Sequence, residues 1–413
     1  MSRAFVSVDA LVVGAGPAGL AAATALKEEG AGSVMVVDRE DEAGGTPRLC
    51  EHSGFGLRDL RRVMSGPAYA RRWVQRAVAR GVDIRTGSMV TAWIGPGRAA
   101  VTGPDGLSEI DARAVVLATG ARERPRAARL VPGTRPSGIF TTGQLQQWVH
   151  RQHLPLGGRA LIVGAEHVSY SALLTLREAG VRPVALITDL PRTQTFRLFD
   201  LVTRAGLRVP VWTGTSVTGI RGSARVDRVL LRGPDGAERA VAVDTVVFTG
   251  DFIPDNELAR FASVAIDQGT RGPACQADGT TTAPGVFATG NLVHPAETAD
   301  VAAQRASTVG RAVAKWLQPG GDRPIQTSTV RIRVAHPLLW VVPNVAQPHQ
   351  DGTGSLLVRS QEFLDHPRLE VTQDGRLLGS FRLRRMIPNR SHSVPSAWMP
   401  LVRPEDDVFI SVA

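Results

Sequence analysis

The chain has 413 residues, of which 43% are hydrophobic and 21% charged, with a formal net charge of +10. That is enough apolar material for two or three domains, each with its own core, and no run of ~20 uncharged apolar residues marks a membrane span. Cys50 and Cys275 are the only cysteines, which excludes a disulfide framework and any cluster needing four cysteines of this chain.

Residues 8–38 predict strand, glycine turn, helix and strand. The branched run Leu11–Val13 leads into GAGPAG, an alanine-rich helix follows, and SVMVVD gives a second strand ending at Asp38. The stretch 66–81, GPAYARRWVQRAVARG, predicts a helix with Trp73, Val74, Ala77 and Val78 on one face. Short strands with turn signals at GPG and PDG fill 82–112, and AVVLATGARERP (114–125) reads as a buried strand ending in a glycine turn. GQLQQW (143–148) reads as a polar helix face.

Residues 159–187 repeat the opening pattern, with RALIVGAEHVSYSALLTLREAG followed by the strand of VRPVALITD. Further strands follow, among them DTVVFTGDF (244–252) and TTTAPGVFATGN (280–291), then a long helical pattern over 297–317. A break at QPGGDRP (318–324) precedes a β-rich tail, in which VRIRV alternates and LEVTQDGRLLGSF signals a hairpin turning at Asp374-Gly375. The expected fold class is therefore α/β, with two Rossmann-like domains, the second inserted in the first, and a small C-terminal β-rich module. The expected boundaries are 1–125 and 244–318 for the two parts of the first domain, 126–243 for the inserted one, and 325–413 for the tail.

Gly14-Ala15-Gly16-Pro17-Ala18-Gly19 is a full GxGxxG between a strand and a helix. Gly14 permits the tight turn, Gly16 lets a pyrophosphate approach the backbone, and Gly19 lets helix and strand pack closely. The helix N-terminus offers N–H groups and positive dipole, and Asp38, with Arg39 beside it, can accept hydrogen bonds from a ribose.

The second turn departs from this pattern. Glu166 and Ser169 stand where its second and third glycines would be, while Asp189 keeps the ribose-acid position. A carboxylate ~4 Å from a phosphate costs roughly 4 kcal/mol at an effective dielectric of 20 and nearer ~1 kcal/mol in water. The first reading is a unit that has lost ordinary NAD(P)H binding and remains as architecture. Altered nucleotide binding, or contact of Glu166 with a substrate or partner, are the alternatives.

The chain resembles the two-dinucleotide-fold flavoproteins of the pyridine nucleotide–disulfide oxidoreductase superfamily over roughly residues 8–318. The likeness rests on VVGAGPAGLAAA, on Gly44-Gly45, on LATGARERP with Thr119 and Gly120, and on TTTAPGVFATGN with Gly290 and Asn291. It implies FAD as cofactor, held by Gly14, Gly16, Pro17, Ala18, Gly19, Asp38, Arg39, Gly45, Thr119, Gly120, Gly290 and Asn291. In the family an Asp at the position of Asn291 holds the ribityl chain; an amide can still hydrogen-bond a hydroxyl. The family's redox disulfide is missing, because Pro47 and His52 occupy its two positions.

The wording GGTPRLCEHSGFGLRDLRRVMSGPAYARR is similar to FAD subunits of opine and dye-linked proline dehydrogenases and hydrogen cyanide synthase, and to oxidoreductases encoded beside glycerol-3-phosphate dehydrogenase. That implies a small organic donor of amino acid, opine or polyol phosphate class, and a partner subunit or homo-oligomer. The expected activity is an FAD-dependent, dehydrogenase-type oxidoreductase. The rivals are an NAD(P)H-dependent flavin reductase and a non-catalytic electron-transfer or assembly subunit. His52 and His294 are the candidate catalytic groups, with Cys50, Arg48 and Glu297 weaker. No metal-ligand spacing is present. The scattered arginines have few aromatic neighbours and predict no nucleic-acid surface. A cytoplasmic location is expected, since the N-terminus runs straight into a strand with no cleavage signal.

Overall fold

The computed structural model describes residues 4–195, 200–319, 329–348, 351–404 and 406–413. It divides into two compact units. The first comprises 1–48, 54–121 and 253–413, and the second 49–53 and 122–252.

The first unit is built on a seven-stranded sheet. Asp83–Arg85, Val34–Val37, Ala4–Val13 and Gly106–Leu117 lie side by side and parallel, with Val286–Ala288 also on Gly106–Leu117. Arg98–Gly103 and Met89–Gly95 extend the sheet antiparallel. Val34–Val37 is buried at all four positions, as expected of a parallel strand covered on both faces. The alanine-rich helix Pro17–Glu28 packs against the long helix Ala299–Leu317. Gly310 makes this close approach possible, since a Cβ there would lie 2.4 Å from the Ala22 carbonyl oxygen.

The predicted helix at 66–81 forms over Gly66–Ala79, but its buried stripe is Tyr69, Ala70, Trp73 and Ala77. Val78 is 58% exposed, which corrects its placement on the apolar face. Each residue turns the helix by ~100°, so Val78 falls outside the arc that Tyr69, Trp73 and Ala77 share.

The second unit carries a five-stranded parallel sheet in the order Ile139–Thr141, Thr245–Phe248, Arg159–Val163, Arg182–Ile187, Val211–Trp212. Two expected boundaries are thereby corrected. Thr245–Phe248 is expected in the returning part of the first domain, yet it pairs between two strands of the second sheet. Leu49–Ser53 also belongs to the second unit. A buried parallel strand ending in a glycine turn suits either sheet, so TVVFTG alone does not reveal its partner.

Among its described residues the tail forms two larger sheets, besides the short pair Leu364–Asp365 with Arg385–Met386. One runs Val345–Ala346, Val330–Val334, Val408–Val412, Arg368–Gln373, Arg376–Arg382; the other Leu338–Val342, Ser355–Ser360, His392–Pro395. The hairpin turns at Asp374 and Gly375 with φ of 47° and 69°, the two left-handed residues that Asp-Gly favours. The tail has its own core, but Trp340 and Val342 join the cluster that contains Leu11, Val115 and Leu117 of the main sheet. It is thus fastened into the first unit. Of the break at 318–324, residues 320–324 lie outside the described residues.

Candidate functional site

The GAGPAG turn has the geometry its glycines imply. Gly14 has φ +111°, and a Cβ on it would lie 2.4 Å from the Ala118 carbonyl oxygen. A Cβ on Gly19 would lie 1.8 Å from the Gly14 carbonyl oxygen, so helix and strand meet in van der Waals contact there. Gly16 differs. It is the N-cap of the helix, it offers no side chain to cap it, and a Cβ built on it meets only the Gly45 Cα, at 3.9 Å. The helix N-terminus therefore keeps uncapped N–H groups beside open space, the arrangement a pyrophosphate needs.

Asp38 is part of this turn. Its Oδ2 accepts the Ala15 N–H at 2.5 Å and its Oδ1 accepts the Glu40 N–H at 2.9 Å. An ionised carboxylate has about four acceptor positions, so two remain for ribose hydroxyls. Gly45 comes up against the turn, with its would-be Cβ 2.8 Å from the Gly16 Cα, and the Gly44 N–H donates to the Ala15 carbonyl. Thr119 donates to the Asp255 carbonyl at 2.7 Å, the Asp255 N–H donates to the Gly120 carbonyl, and Arg39 pairs with the Asp255 carboxylate at 3.3 Å. No atom lies within 4 Å of a Cβ built on Gly120. Gly290 abuts Ala18, its would-be Cβ 2.6 Å from the Ala18 Cβ. Gly14, Gly16, Pro17, Ala18, Gly19, Asp38, Gly45 and Gly290 thus form one cradle. Its donors and its empty backbone-lined space fit a dinucleotide.

Asn291 is hydrogen-bonded within its own loop. Its Oδ1 accepts the Glu297 N–H at 2.8 Å and its Nδ2 donates to the Glu297 carbonyl at 3.2 Å. The amide therefore closes the turn 291–297 that leads into the helix Ala299–Leu317.

The tail grips the same turn. The Arg359 guanidinium donates to the Ala296 carbonyl at 3.3 Å and to Ser391 Oγ at 3.2 Å, and lies 4.8 Å from the Trp340 ring centroid. Ser391 donates to Glu297 Oε1. Burial pulls the Arg359 pKa down to about 10 against the opposing pull of Glu297. Sequence reasoning missed Arg359, because one arginine among so many carries no local mark of burial.

His294 is 3% exposed and stacks on Trp340 with ring centroids 5.2 Å apart. Burial, then repulsion from Arg305 and Arg359, pushes its pKa well below 6.5, so the ring is neutral. It is a core residue, which removes the ground for its candidacy as a catalytic group.

His52 belongs to the second unit. Its Nδ1 lies 3.0 Å from the Ser53 carbonyl and its Nε2 2.7 Å from Ser171 Oγ. A carbonyl only accepts, so in the neutral ring the proton is on Nδ1, and Nε2 accepts from Ser171. Ser171 in turn accepts from Gln146 Nε2 at 2.8 Å, and Cys50 donates to Gln146 Oε1 at 3.6 Å. Gln146 is only 2% exposed and so leaves the polar helix face read in GQLQQW, where Gln144 and Gln147 are exposed. Burial pushes the Cys50 thiol up to about 11 and Cys275 to about 12, so both stay protonated near neutrality. Arg48 is spent on Glu40 and Glu42, at 3.7 and 3.3 Å.

In the second glycine turn the glutamate folds back on itself. Glu166 Oε2 accepts the Ala165 N–H at 3.0 Å, the bond that Asp38 makes to Ala15 in the first turn. The Glu166 N–H donates to Ser169 Oγ at 3.2 Å, and Ser169 shares a 2.7 Å hydrogen bond with Thr249. The carboxylate also lies against Gly250, whose would-be Cβ is 2.8 Å from Oε1. Arg129 donates to the Thr249 and Gly250 carbonyls at 3.0 and 2.8 Å, and its charge lies within electrostatic range of Glu166. Asp189 is exposed at the end of its strand. The Glu166 side chain therefore lies back over its own turn, at the N-terminus of the helix His167–Glu178.

Among the described residues no group of three or more His, Cys, Asp or Glu could hold a metal ion, and no helix is long and apolar enough to cross a membrane.

Residues 8–306 match the model of the family described as pyridine nucleotide-disulphide oxidoreductase. An opine oxidase subunit from Agrobacterium tumefaciens (strain Ach5) is 26% identical over 363 residues, covering 79% of this chain and 69% of that protein. The alpha subunit of sarcosine oxidase from Corynebacterium sp. (strain P-1) is 28% identical over 274 residues, covering 60% of this chain but 27% of that one. In fold the chain is similar to the thioredoxin reductase of T. acidophilum, with a TM-score of 0.61 at 19% identity over 75% of this chain and 97% of the other. It is also similar to L-proline dehydrogenase from P. horikoshii, with a TM-score of 0.55 at 18% identity over 77% and 56%. With an open dinucleotide cradle in its first unit and the family model spanning most of its length, the chain belongs to the pyridine nucleotide-disulphide oxidoreductase family and is an FAD-dependent oxidoreductase.

Proposed function

We propose that the chain oxidises a small organic donor at a C–N or C–O bond, without NAD(P)H as reductant and without a thiol pair as relay. The observation that carries this reading is the Glu166 carboxylate on the Ala165 N–H, which fills the turn where a nicotinamide dinucleotide would place its pyrophosphate. Bound FAD supplies the acceptor for the two electrons. The chain's part is to hold it: Gly16 and the uncapped helix end would receive the pyrophosphate and Asp38 the ribose. Cys50 and Cys275 are both buried and in no disulfide, with raised pKa values, which suits them to packing rather than to exchange. His52 is the candidate proton acceptor, through the Nε2 that Ser171 now occupies. The relatives named for opine and sarcosine oxidation point to an N-substituted amino acid as donor, and their subunit names to work within a complex.

Anaerobic bleaching of the flavin is the test. Opines, sarcosine, proline and glycerol 3-phosphate are offered in turn, beside NADH and NADPH. One organic donor should bleach the flavin at a rate the nicotinamides do not approach. Cys50→Ser should keep most of that rate. Bleaching by NADH alone, or its loss in Cys50→Ser with FAD still bound, would reject the reading.

A further inference from the structure

A second place in the first unit is built for an anion. Arg61, Arg62, Arg72 and Arg76 surround a cavity of about 270 Å³ with Leu60 and Met64 in its wall. None of the residues of the FAD cradle lines it. We propose that this cavity binds a small, multiply charged oxyanion, a diphosphate or polycarboxylate, independently of the flavin and of the donor.

Two features of the cavity disfavour the protein without a ligand. Arg72 and Arg76 stand four residues apart on the helix Gly66–Ala79, where like charges repel, and two more guanidinium groups face the same space. Arg61 adopts a φ of 53°, a left-handed conformation that side chains other than glycine and asparagine rarely take. Among the described residues no carboxylate forms an ion pair with any of the four, whereas Arg80 on the same helix pairs with Glu28 at 3.0 Å.

The one acid in the wall is spoken for. Asp59 accepts the Tyr69 hydroxyl at 2.6 Å, the Trp73 indole N–H at 3.0 Å and the Leu60 N–H at 2.8 Å. Its role is to fix the loop. The Gly56 carbonyl takes the N–H groups of both Leu60 and Arg62, and Gln304 donates to the Arg58 carbonyl at 2.7 Å. Trp73 also carries the Arg76 guanidinium, 4.7 Å from its ring. Loop and helix therefore present their cations on a frame that is already ordered. Such preorganisation lowers the entropy cost of binding. Guanidinium forks match phosphate and carboxylate oxygens equally well, so the shared chemistry is the oxyanion. The volume of about 270 Å³ is of a size for a small molecule.

The test uses FAD-replete protein, so that the cradle at Gly16 is not open to the probe. Pyrophosphate and citrate are titrated separately by calorimetry at constant ionic strength, against wild type, Arg72→Gln/Arg76→Gln, and the control Arg71→Gln/Arg80→Gln. Sub-millimolar binding of at least one probe is expected, weakened tenfold or more in the first variant and unchanged in the control, with FAD content the same in all three. Which probe binds distinguishes a phosphate from a carboxylate ligand. No binding of either probe, equal loss in the control, or no loss in Arg72→Gln/Arg76→Gln would overturn the proposal. Binding of polyglutamate but of neither small anion would overturn it in favour of an acidic protein partner.

Discussion

The two glycine turns of this chain begin alike and end oppositely. In each, a buried parallel strand runs into a glycine at positive φ, Gly14 at +111° and Gly164 at +144°, and an alanine follows whose N–H is accepted by a carboxylate. In the first turn that carboxylate is Asp38, reaching across from the next strand, and Gly16 leaves the helix end open. In the second it is Glu166, the residue at the helix end itself, and the space is taken. The approach position thus holds a bare glycine in the first turn and, in the second, a carboxylate whose Oε2 is bonded to the turn's own backbone. Ser169 completes the exchange, since its hydroxyl accepts the N–H of the N-cap residue and meets Thr249. An acid at a helix N-terminus stabilises by roughly 0.3–1 kcal/mol, so Glu166 adds a little folding stability to the second unit.

The largest effect that would test this contrast lies in the first turn. Gly16→Val fills the open cradle without straining the backbone, because Gly16 has φ −76° and its would-be Cβ meets only the Gly45 Cα. The variant should fold and purify colourless, with FAD affinity down by at least about a hundredfold, or ~2.7 kcal/mol. Flavin absorbance per protein and circular dichroism separate loss of cofactor from loss of fold. A yellow variant with a full complement of FAD would break the comparison.

The next effect runs in the opposite direction. Glu166→Gly with Ser169→Gly opens the second turn as the first is open. NADH binding measured by calorimetry should rise at least about tenfold, or ~1.4 kcal/mol, within the ~1–4 kcal/mol that a nearby carboxylate costs a phosphate. Unchanged binding in a folded double variant would show that the glutamate is not what fills the site.

The smallest effect concerns the grip of the tail on the turn 291–297. His294 is held neutral in the fold while an unfolded histidine titrates near 6.5, so the unfolded state binds the extra proton. Its contribution is therefore complete above pH 6.5 and is lost as pH falls below it. His294→Phe keeps the stack on Trp340 and has no proton to gain. Its Tm should fall less than that of wild type between pH 7 and pH 5; an identical fall would show that another group sets the acid sensitivity.

The first turn was legible in the sequence because the spacing of Gly14, Gly16 and Gly19 within one short motif marks it, even though Gly14 packs on Ala118 and Gly16 lies beside Gly45. Glu166 was legible as a misfit, but the destination of its carboxylate was not, since that depends on a side-chain torsion. What escaped were groups whose partners are remote in sequence. Gln146 reads as surface until Ser171 and Cys50 come to it, and Arg359 reads as one arginine among many until Ala296, Ser391 and Trp340 surround it. The bonds from both ends of the Asn291 amide to the Glu297 backbone likewise carry no mark in the sequence. The strand Thr245–Phe248 is recognisable as a strand, but its sheet is not, because pairing is a property of two segments and the pattern of one does not specify it.

The most direct measurement is a calorimetric titration of the wild-type, FAD-replete protein with NADH and then NADPH, with flavin absorbance followed anaerobically in the same samples. If Glu166 occupies the phosphate position, neither nucleotide should give saturable heat below millimolar concentration, and the flavin should stay oxidised. Micromolar binding accompanied by rapid bleaching would contradict this: the second turn would then be a working nucleotide site, and the chain an NAD(P)H-dependent reductase.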